Sequence, residues 1–243
     1  MTNPPAERGT EMVFFDAGET LVHPEPSFPQ LFKQVCASHG LEVDLSLLPA
    51  ATRCLMAGVE ERQKEGYTFT NDAEESRRFW LDFYSRLVRE LGGEEADGDL
   101  PLHLYRTFSD PANYTAYHDV PETLARLREE GYRLGIISNF EAWLQDLLDD
   151  LDLSRHFEVV VISGRERYEK PHPEIYALAL RRAGVHARRA LHVGDSPLSD
   201  YRGPREAGMR AVLLDRWGRF PDFGGERVRD LRELPELLAR GDL

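Results

Sequence analysis

The chain has 243 residues, 41% of them hydrophobic and 30% charged, which suits one large globular domain or one domain with a sizeable insertion. No apolar stretch approaches the length of a membrane-spanning helix, and the polar opening MTNPPAERGTE reads as a short lead-in without a signal peptide's apolar segment, so a cytoplasmic protein with no membrane partner is expected. A net charge of −13, with arginines interspersed among acids, argues against a nucleic-acid groove, while Cys36 and Cys54 form no metal-ligand or disulfide pattern and are expected to be small buried residues.

The first predicted element is the apolar run MVFFD (Met12–Asp16), a buried strand. HPEPSFP (His23–Pro29) breaks the pattern, and no convincing strand follows before Asp119. That interval reads as helices over Phe28–His39, Leu47–Glu65 and Ala73–Leu91, with a shorter one near Leu102–Phe108 and a solvated loop, GGEEADGD (Gly92–Asp99), between the last two. Phe79, Trp80, Phe83 and Tyr84 recur at helical spacing, which points to core packing and not to a pocket.

DPANYTAYHD (Asp110–Asp119) closes the helical block, and strands and helices then alternate. PETLARLREEGY (Pro121–Tyr132) and PEIYALALRRAG (Pro173–Gly184) each open with proline and end at or beside a glycine, as helices do. RLGIIS (Arg133–Ser138), EVVVIS (Glu158–Ser163), ALHVGD (Ala190–Asp195) and RAVLLD (Arg210–Asp215) read as buried parallel strands. The alternation predicts an α/β fold: a doubly wound, Rossmann-like parallel sheet from residues 1–22 and 118–243, with residues 23–117 inserted after the first strand as a helical subdomain.

Parallel α/β sheets bind ligands at the carboxyl ends of their strands. There the sequence places Asp16 after the first strand, Ser138 and Asn139 after the second, Lys170 in YEKPHPEIY, and Asp195 and Asp200 in GDSPLSD. Carboxylates, a hydroxyl–amide pair and one of only three lysines on one edge make a site for a divalent cation plus an anion. Plainer readings exist for each: Asp16 as a turn former, Ser138 and Asn139 as caps before EAWLQDLL, Lys170 as a solvated loop residue, Asp200 as a cap of a helix over Tyr201–Ala207. His172 and His192 flank these residues and are expected to be structural or exposed. GDSP resembles a serine-hydrolase signature, but that chemistry needs a later histidine and His192 is the last.

FFDAGETL, GIISNF, YEKPHPEIY and HVGDSPLSDYRGPREAGM occur in the order of the four motifs of the haloacid dehalogenase superfamily, which the chain resembles over nearly its whole length. The resemblance implies a helical cap for the insert and a Mg²⁺-dependent phosphatase acting on a small phosphorylated metabolite. In that scheme Asp16 is the nucleophile and forms an aspartyl-phosphate, and Asp16, the Gly18 carbonyl and Asp195 hold Mg²⁺. Lys170 bridges Asp16 and the phosphoryl group, Ser138 and the Asn139 backbone N–H bind phosphoryl oxygens, Thr20 supplies a hydroxyl of the first motif, and Asp200 positions metal-bound waters or Lys170.

One position departs from the pattern. Phosphatases of this superfamily carry a second aspartate two residues after the nucleophile as general acid and base, and here that residue is Gly18. Loss of such help costs about 10²- to 10⁴-fold, and acyl or aryl phosphates, with their acidic leaving groups, suffer least. Other readings follow from the gap: a phosphonatase using Lys33 or Lys64 as a Schiff base, a dehalogenase (though the metal aspartate, Asp195, is present), Glu19 as a substitute acid, or a non-catalytic protein that binds metal and phosphate.

Overall fold

A computed structural model of the chain describes residues 9–93 and 99–240; the start of the lead-in and the middle of the Gly92–Asp99 loop lie outside the described residues. In chain order the elements are β1 (Met12–Phe15), β2 (Val22–Pro24), α1 (Phe28–Ser38), α2 (Leu48–Lys64), α3 (Ala73–Glu90), α4 (Leu100–Phe108) and β3 (Tyr114–Ala116). There follow α5 (Val120–Glu129), β4 (Arg133–Ser138), α6 (Leu144–Asp150), β5 (Val159–Ile162), α7 (Pro173–Ala183), β6 (Ala190–Gly194), α8 (Gly203–Glu206), β7 (Arg210–Leu214), β8 (Arg227–Val228) and α9 (Leu234–Arg240). They fall into two compact units, His23–Thr115 and the remainder of the chain on either side of it.

The larger unit is built on a six-stranded sheet in the order β5-β4-β1-β6-β7-β8, every neighbouring pair parallel. All four residues of β1 have no solvent exposure, which is why this strand reads as an unbroken apolar run and not as an alternating one. Chain order reverses on the two sides of β1, so its carboxyl end lies at the switch point where such sheets bind ligands. Phe15 lies opposite Ile136 of β4 and Val193 of β6. The same register brings Asp16, Ser138 and Asp195 out at that one edge.

Local signals explain most element ends. The Nδ1 of His172 accepts from the Glu174 N–H, Pro173 opens α7, and Gly184 ends it at φ 61°, in the left-handed region that glycine enters freely. Three features go beyond the sequence reading. β8 and α9 extend the fold past Asp215, and the stretch read as strand-free contains β2 and β3, which pair with each other. Where one helix was expected over Tyr201–Ala207, a π-helical turn (Pro197–Arg202) runs into α8, opened by Ser196, whose Oγ accepts from the Ser199 N–H at 3.1 Å.

The helical unit has its own core. Phe79, Phe83 and Tyr84 are buried in it beside Phe32, Leu87 and Leu104, with Trp80 half-buried, and the Phe69 and Phe79 rings stack at 3.8 Å. Cys36 belongs to that core, and burial pushes its thiol up to about 11. Cys54 is exposed, contrary to expectation, because α2 packs Leu48, Ala51, Leu55, Met56 and Val59 against the core and Cys54 falls on the opposite face. No described helix is long and apolar enough to cross a membrane.

Asp119 ties distant parts of the larger unit together. Fully buried, it accepts from Arg216 Nη1 at 2.7 Å and Nη2 at 3.0 Å and from the Leu231 N–H at 2.8 Å, while Arg216 Nη2 also donates to the Thr20 carbonyl at 2.8 Å. Removing one partner of a buried ion pair strands the other charge. Asp119→Ala is therefore expected to lower the unfolding free energy by about 3–5 kcal/mol in urea titration, and a loss below about 1 kcal/mol would contradict this role.

Candidate active site

The apolar walls of β1, β4 and β6 bring a polar cluster together at their carboxyl ends. The Asp16 N–H is fixed by the Val193 carbonyl at 2.9 Å, which continues the β1–β6 pairing one residue beyond the strand. One oxygen of its carboxylate, Oδ1, accepts from Lys170 Nζ at 2.7 Å and from Ser138 Oγ at 3.0 Å. Lys170 Nζ donates equally closely to Asp200 Oδ1, at 2.6 Å, so a buried ammonium sits between two buried carboxylates.

Asp200 is fully engaged by the protein. Its Oδ1 also meets His192 Nε2 at 2.9 Å, and its Oδ2 accepts from the Ser196 N–H at 2.9 Å. Asp195, by contrast, accepts at Oδ2 from Arg219 Nη2 at 2.7 Å, with no protein donor to its Oδ1 among the described residues. Gly194 is needed for this arrangement, because a Cβ there would collide with the Asp200 carboxylate and come within 2.8 Å of the Asp16 Cβ.

Asn139 is placed differently from a simple phosphate ligand. Its side-chain Nδ2 donates to the Lys170 carbonyl at 2.7 Å and its Oδ1 accepts from the Lys170 N–H at 2.6 Å, a reciprocal pair that clamps the lysine's backbone. Thr20 is brought into no hydrogen bond with the cluster: it is fully buried, its hydroxyl has no partner among the described residues, and its carbonyl serves Arg216. Gly18 has no positive φ, and a Cβ built on it would touch only the Phe140 ring, at 3.5 and 3.8 Å. Glu19 takes the left-handed conformation (φ 55°) and accepts from the Tyr117 hydroxyl at 2.9 Å.

Two participants escaped the sequence reading. His192, expected to be structural or exposed, is completely buried inside the network; the visible signal was a polar residue within the apolar run of β6. Arg219 comes from the loop after β7, anchored where its own N–H and that of Phe220 donate to Asp215 at 2.7 and 3.1 Å, and no motif announces it.

Burial and neighbouring charge compete at every group of the cluster. It would raise the Asp200 carboxyl, but the Lys170 charge and the His192 hydrogen bond outweigh it and hold the group well below the usual range. Burial would lower Lys170, yet the two facing carboxylates win and raise it. Asp16 is raised, burial exceeding the pull of Lys170. Asp195 is pushed up to about 7 by burial and by the nearby Asp200 and Asp16 charges, against Arg219. Burial lowers His192, favouring a neutral ring whose Nε2–H donates to Asp200.

The cluster is thus short of positive charge, with three carboxylates that offer oxygens within 4.8 Å of one another. All-oxygen donors suit a hard cation of the Mg²⁺ or Ca²⁺ type, not a soft metal. Asp16 Oδ2 and Asp195 Oδ1 are the oxygens left open for it, whereas both Asp200 oxygens are already committed.

The sequence model of haloacid dehalogenase-like hydrolases matches residues 10–208. The chain is 32% identical over 209 residues to the haloacid dehalogenase-like hydrolase domain-containing protein 3 of Homo sapiens, covering 84% of this chain and 81% of that protein. It is 38% identical over 131 residues to the phosphoserine phosphatase of Thermus thermophilus, 52% of this chain and 53% of that one. Among solved structures, the magnesium-bound HAD-hydrolase YfnB of Bacillus subtilis is similar with a TM-score of 0.72 over 94% of this chain and 98% of that one; at 19% identity this speaks to the fold alone. The chain therefore belongs to the haloacid dehalogenase-like hydrolase family.

Proposed function

We propose that the chain is a Mg²⁺-dependent phosphatase that acts on a small phosphorylated metabolite through an aspartyl-phosphate on Asp16. The observation that carries this reading is the asymmetry of the Asp16 carboxylate: Oδ1 is held by Lys170 and Ser138, which leaves Oδ2 to attack or to coordinate. The phosphatase name of the Thermus thermophilus relative supports the same reaction class.

Asp16, Asp195 and the Gly18 carbonyl would hold a hard divalent cation, which would supply the charge that lets a carboxylate approach a phosphoryl dianion. Lys170, oriented by Asn139 along its backbone and by Asp200 at its ammonium, stabilises charge developing on the transferred group. Ser138 Oγ and the Asn139 N–H serve further phosphoryl oxygens. Asp200 acts through Lys170, not on the phosphorus. The helical unit is read as the cap that selects the substrate. Lys33 and Lys64 are exposed on its helices, which gives neither the apolar setting of a Schiff-base lysine.

Turnover of 4-nitrophenyl phosphate is expected to require Mg²⁺, to stop with EDTA, and to fall at least about 10³-fold in Asp16→Asn. If wild type and Asp16→Asn are equally inactive across a panel of phosphorylated metabolites, the hydrolase reading fails and a metal- and phosphate-binding role gains. Asn139→Ala should lower kcat by about 10-fold or more while leaving thermal unfolding within a few degrees of wild type; an unchanged kcat would contradict the clamp on Lys170.

A further inference from the structure

We propose that Arg219 is a positioning residue for Asp195: by holding one carboxylate oxygen it leaves a single oxygen for a cation, and so makes the site select Mg²⁺ over Ca²⁺. The inference rests on the reading that Asp16 and Asp195 hold the cation, and it adds a determinant of which cation they hold.

The loop after β7 is built to deliver this side chain. Asp215, fully buried at the end of the strand, accepts from the Arg219 N–H at 2.7 Å, the Phe220 N–H at 3.1 Å and Arg227 Nη1 at 3.3 Å, and its carbonyl accepts from the Gly218 N–H at 3.2 Å. Gly218 turns the chain at φ 66°, in the left-handed region that favours glycine. Arg227 also donates to the Phe220 carbonyl, which closes the loop on itself. The backbone of Arg219 is therefore fixed by groups other than its own guanidinium.

From that anchor the side chain reaches Asp195 through one hydrogen bond. An arginine often grips a carboxylate with two parallel N–H groups, which occupies both oxygens. Here Nη2 alone donates, and to Oδ2 alone, at 2.7 Å, so Oδ1 stays without a protein donor among the described residues. The Arg219 side chain is 45% exposed, and an ion pair so open to water adds little to stability. What the contact does supply is orientation of the carboxylate.

Asp16 is restricted in the same way, since its Oδ1 accepts from both Lys170 and Ser138 and leaves Oδ2. Asp200 has neither oxygen to spare. The cluster therefore offers a cation one oxygen from each of two carboxylates, and no carboxylate that can grip it by both. Mg²⁺ suits that set, because it takes one or two carboxylates singly in a compact octahedron and keeps several waters. Ca²⁺ is larger, gathers roughly six to eight oxygens and commonly takes carboxylates by both.

The two restraints differ in strength. Asp16 is held by a buried lysine and a buried serine, whereas Asp195 Oδ2 is held by one half-exposed arginine. Selectivity is thus most easily lost at Arg219. A guanidinium that merely balanced the acidic charge would behave in the opposite way, and its removal would tighten the binding of every divalent cation alike.

The test reads cation binding without turnover. Free Mn²⁺ is measured by electron paramagnetic resonance in the presence of the full chain, with Mg²⁺ or Ca²⁺ added as competitor. Wild type is expected to bind Mg²⁺ more tightly than Ca²⁺, and Asp195→Asn to lose most of the binding. Arg219→Gln, which keeps the backbone contacts to Asp215, should weaken Mg²⁺ by about 10- to 100-fold and Ca²⁺ by less than about threefold, with Arg219→Lys between it and wild type. An unchanged ratio of the two affinities in Arg219→Gln, or a wild type that prefers Ca²⁺, would overturn this inference and leave the metal site standing. No Mn²⁺ or Mg²⁺ binding by wild type, or binding undiminished in Asp195→Asn, would overturn the metal site as well.

Discussion

The site is organised around one buried ammonium. The Lys170 side chain is 2% exposed, and an isolated charge in such a place costs several kcal/mol in lost hydration. It is tolerable only because Asp16 and Asp200 approach it from two sides, and they do so because β1 and β6 run parallel and adjacent. The constraint also explains the residue type. A compact ammonium fits between two carboxylates at 2.7 and 2.6 Å, where the planar fork of an arginine, the cation used almost everywhere else in this chain, would not.

The same network separates the roles of similar acids. Asp200 has every oxygen satisfied by the protein and is held far down its titration range, so it acts as a fixed counter-charge. Among the described residues, Asp16 and Asp195 each retain one oxygen without a protein donor, which is what coordination or attack requires. Around Gly18 the wiring is unusual. The next residue, Glu19, occupies a left-handed conformation costing an L side chain roughly 1–2 kcal/mol, offset by the hydrogen bond from Tyr117, whose ring lies 4.0 Å from the Arg216 guanidinium carbon.

Much of this was legible in the sequence, for physical reasons. Buried parallel strands are apolar on both faces, so MVFF and RLGIIS stand out as runs, and the polar residues ending them fall at one edge of a doubly wound sheet. β8 was not legible, because two residues, Arg227 and Val228, carry no periodicity and join the sheet only by pairing with β7. Arg219 reaches Asp195 through the shape of a loop, which no spacing rule encodes. His192 could have been found, since a polar side chain within a strand buried on both faces needs a partner, and here that partner is Asp200. Asn139 was picked out from its place beside Ser138, but only the folded chain brings its side chain to the Lys170 backbone, 31 residues on.

If Asp16 is the nucleophile, it becomes covalently phosphorylated during turnover. The most direct measurement is intact-mass spectrometry after rapid acid quench of the Mg²⁺-loaded enzyme mixed with 4-nitrophenyl phosphate, followed by peptide mapping. A phosphoryl-sized mass increase is expected, confined to the peptide containing FFDAGETL, absent in Asp16→Asn and lost on treatment with hydroxylamine. Turnover with no such adduct at any quench time, or an adduct on a different residue, would contradict it.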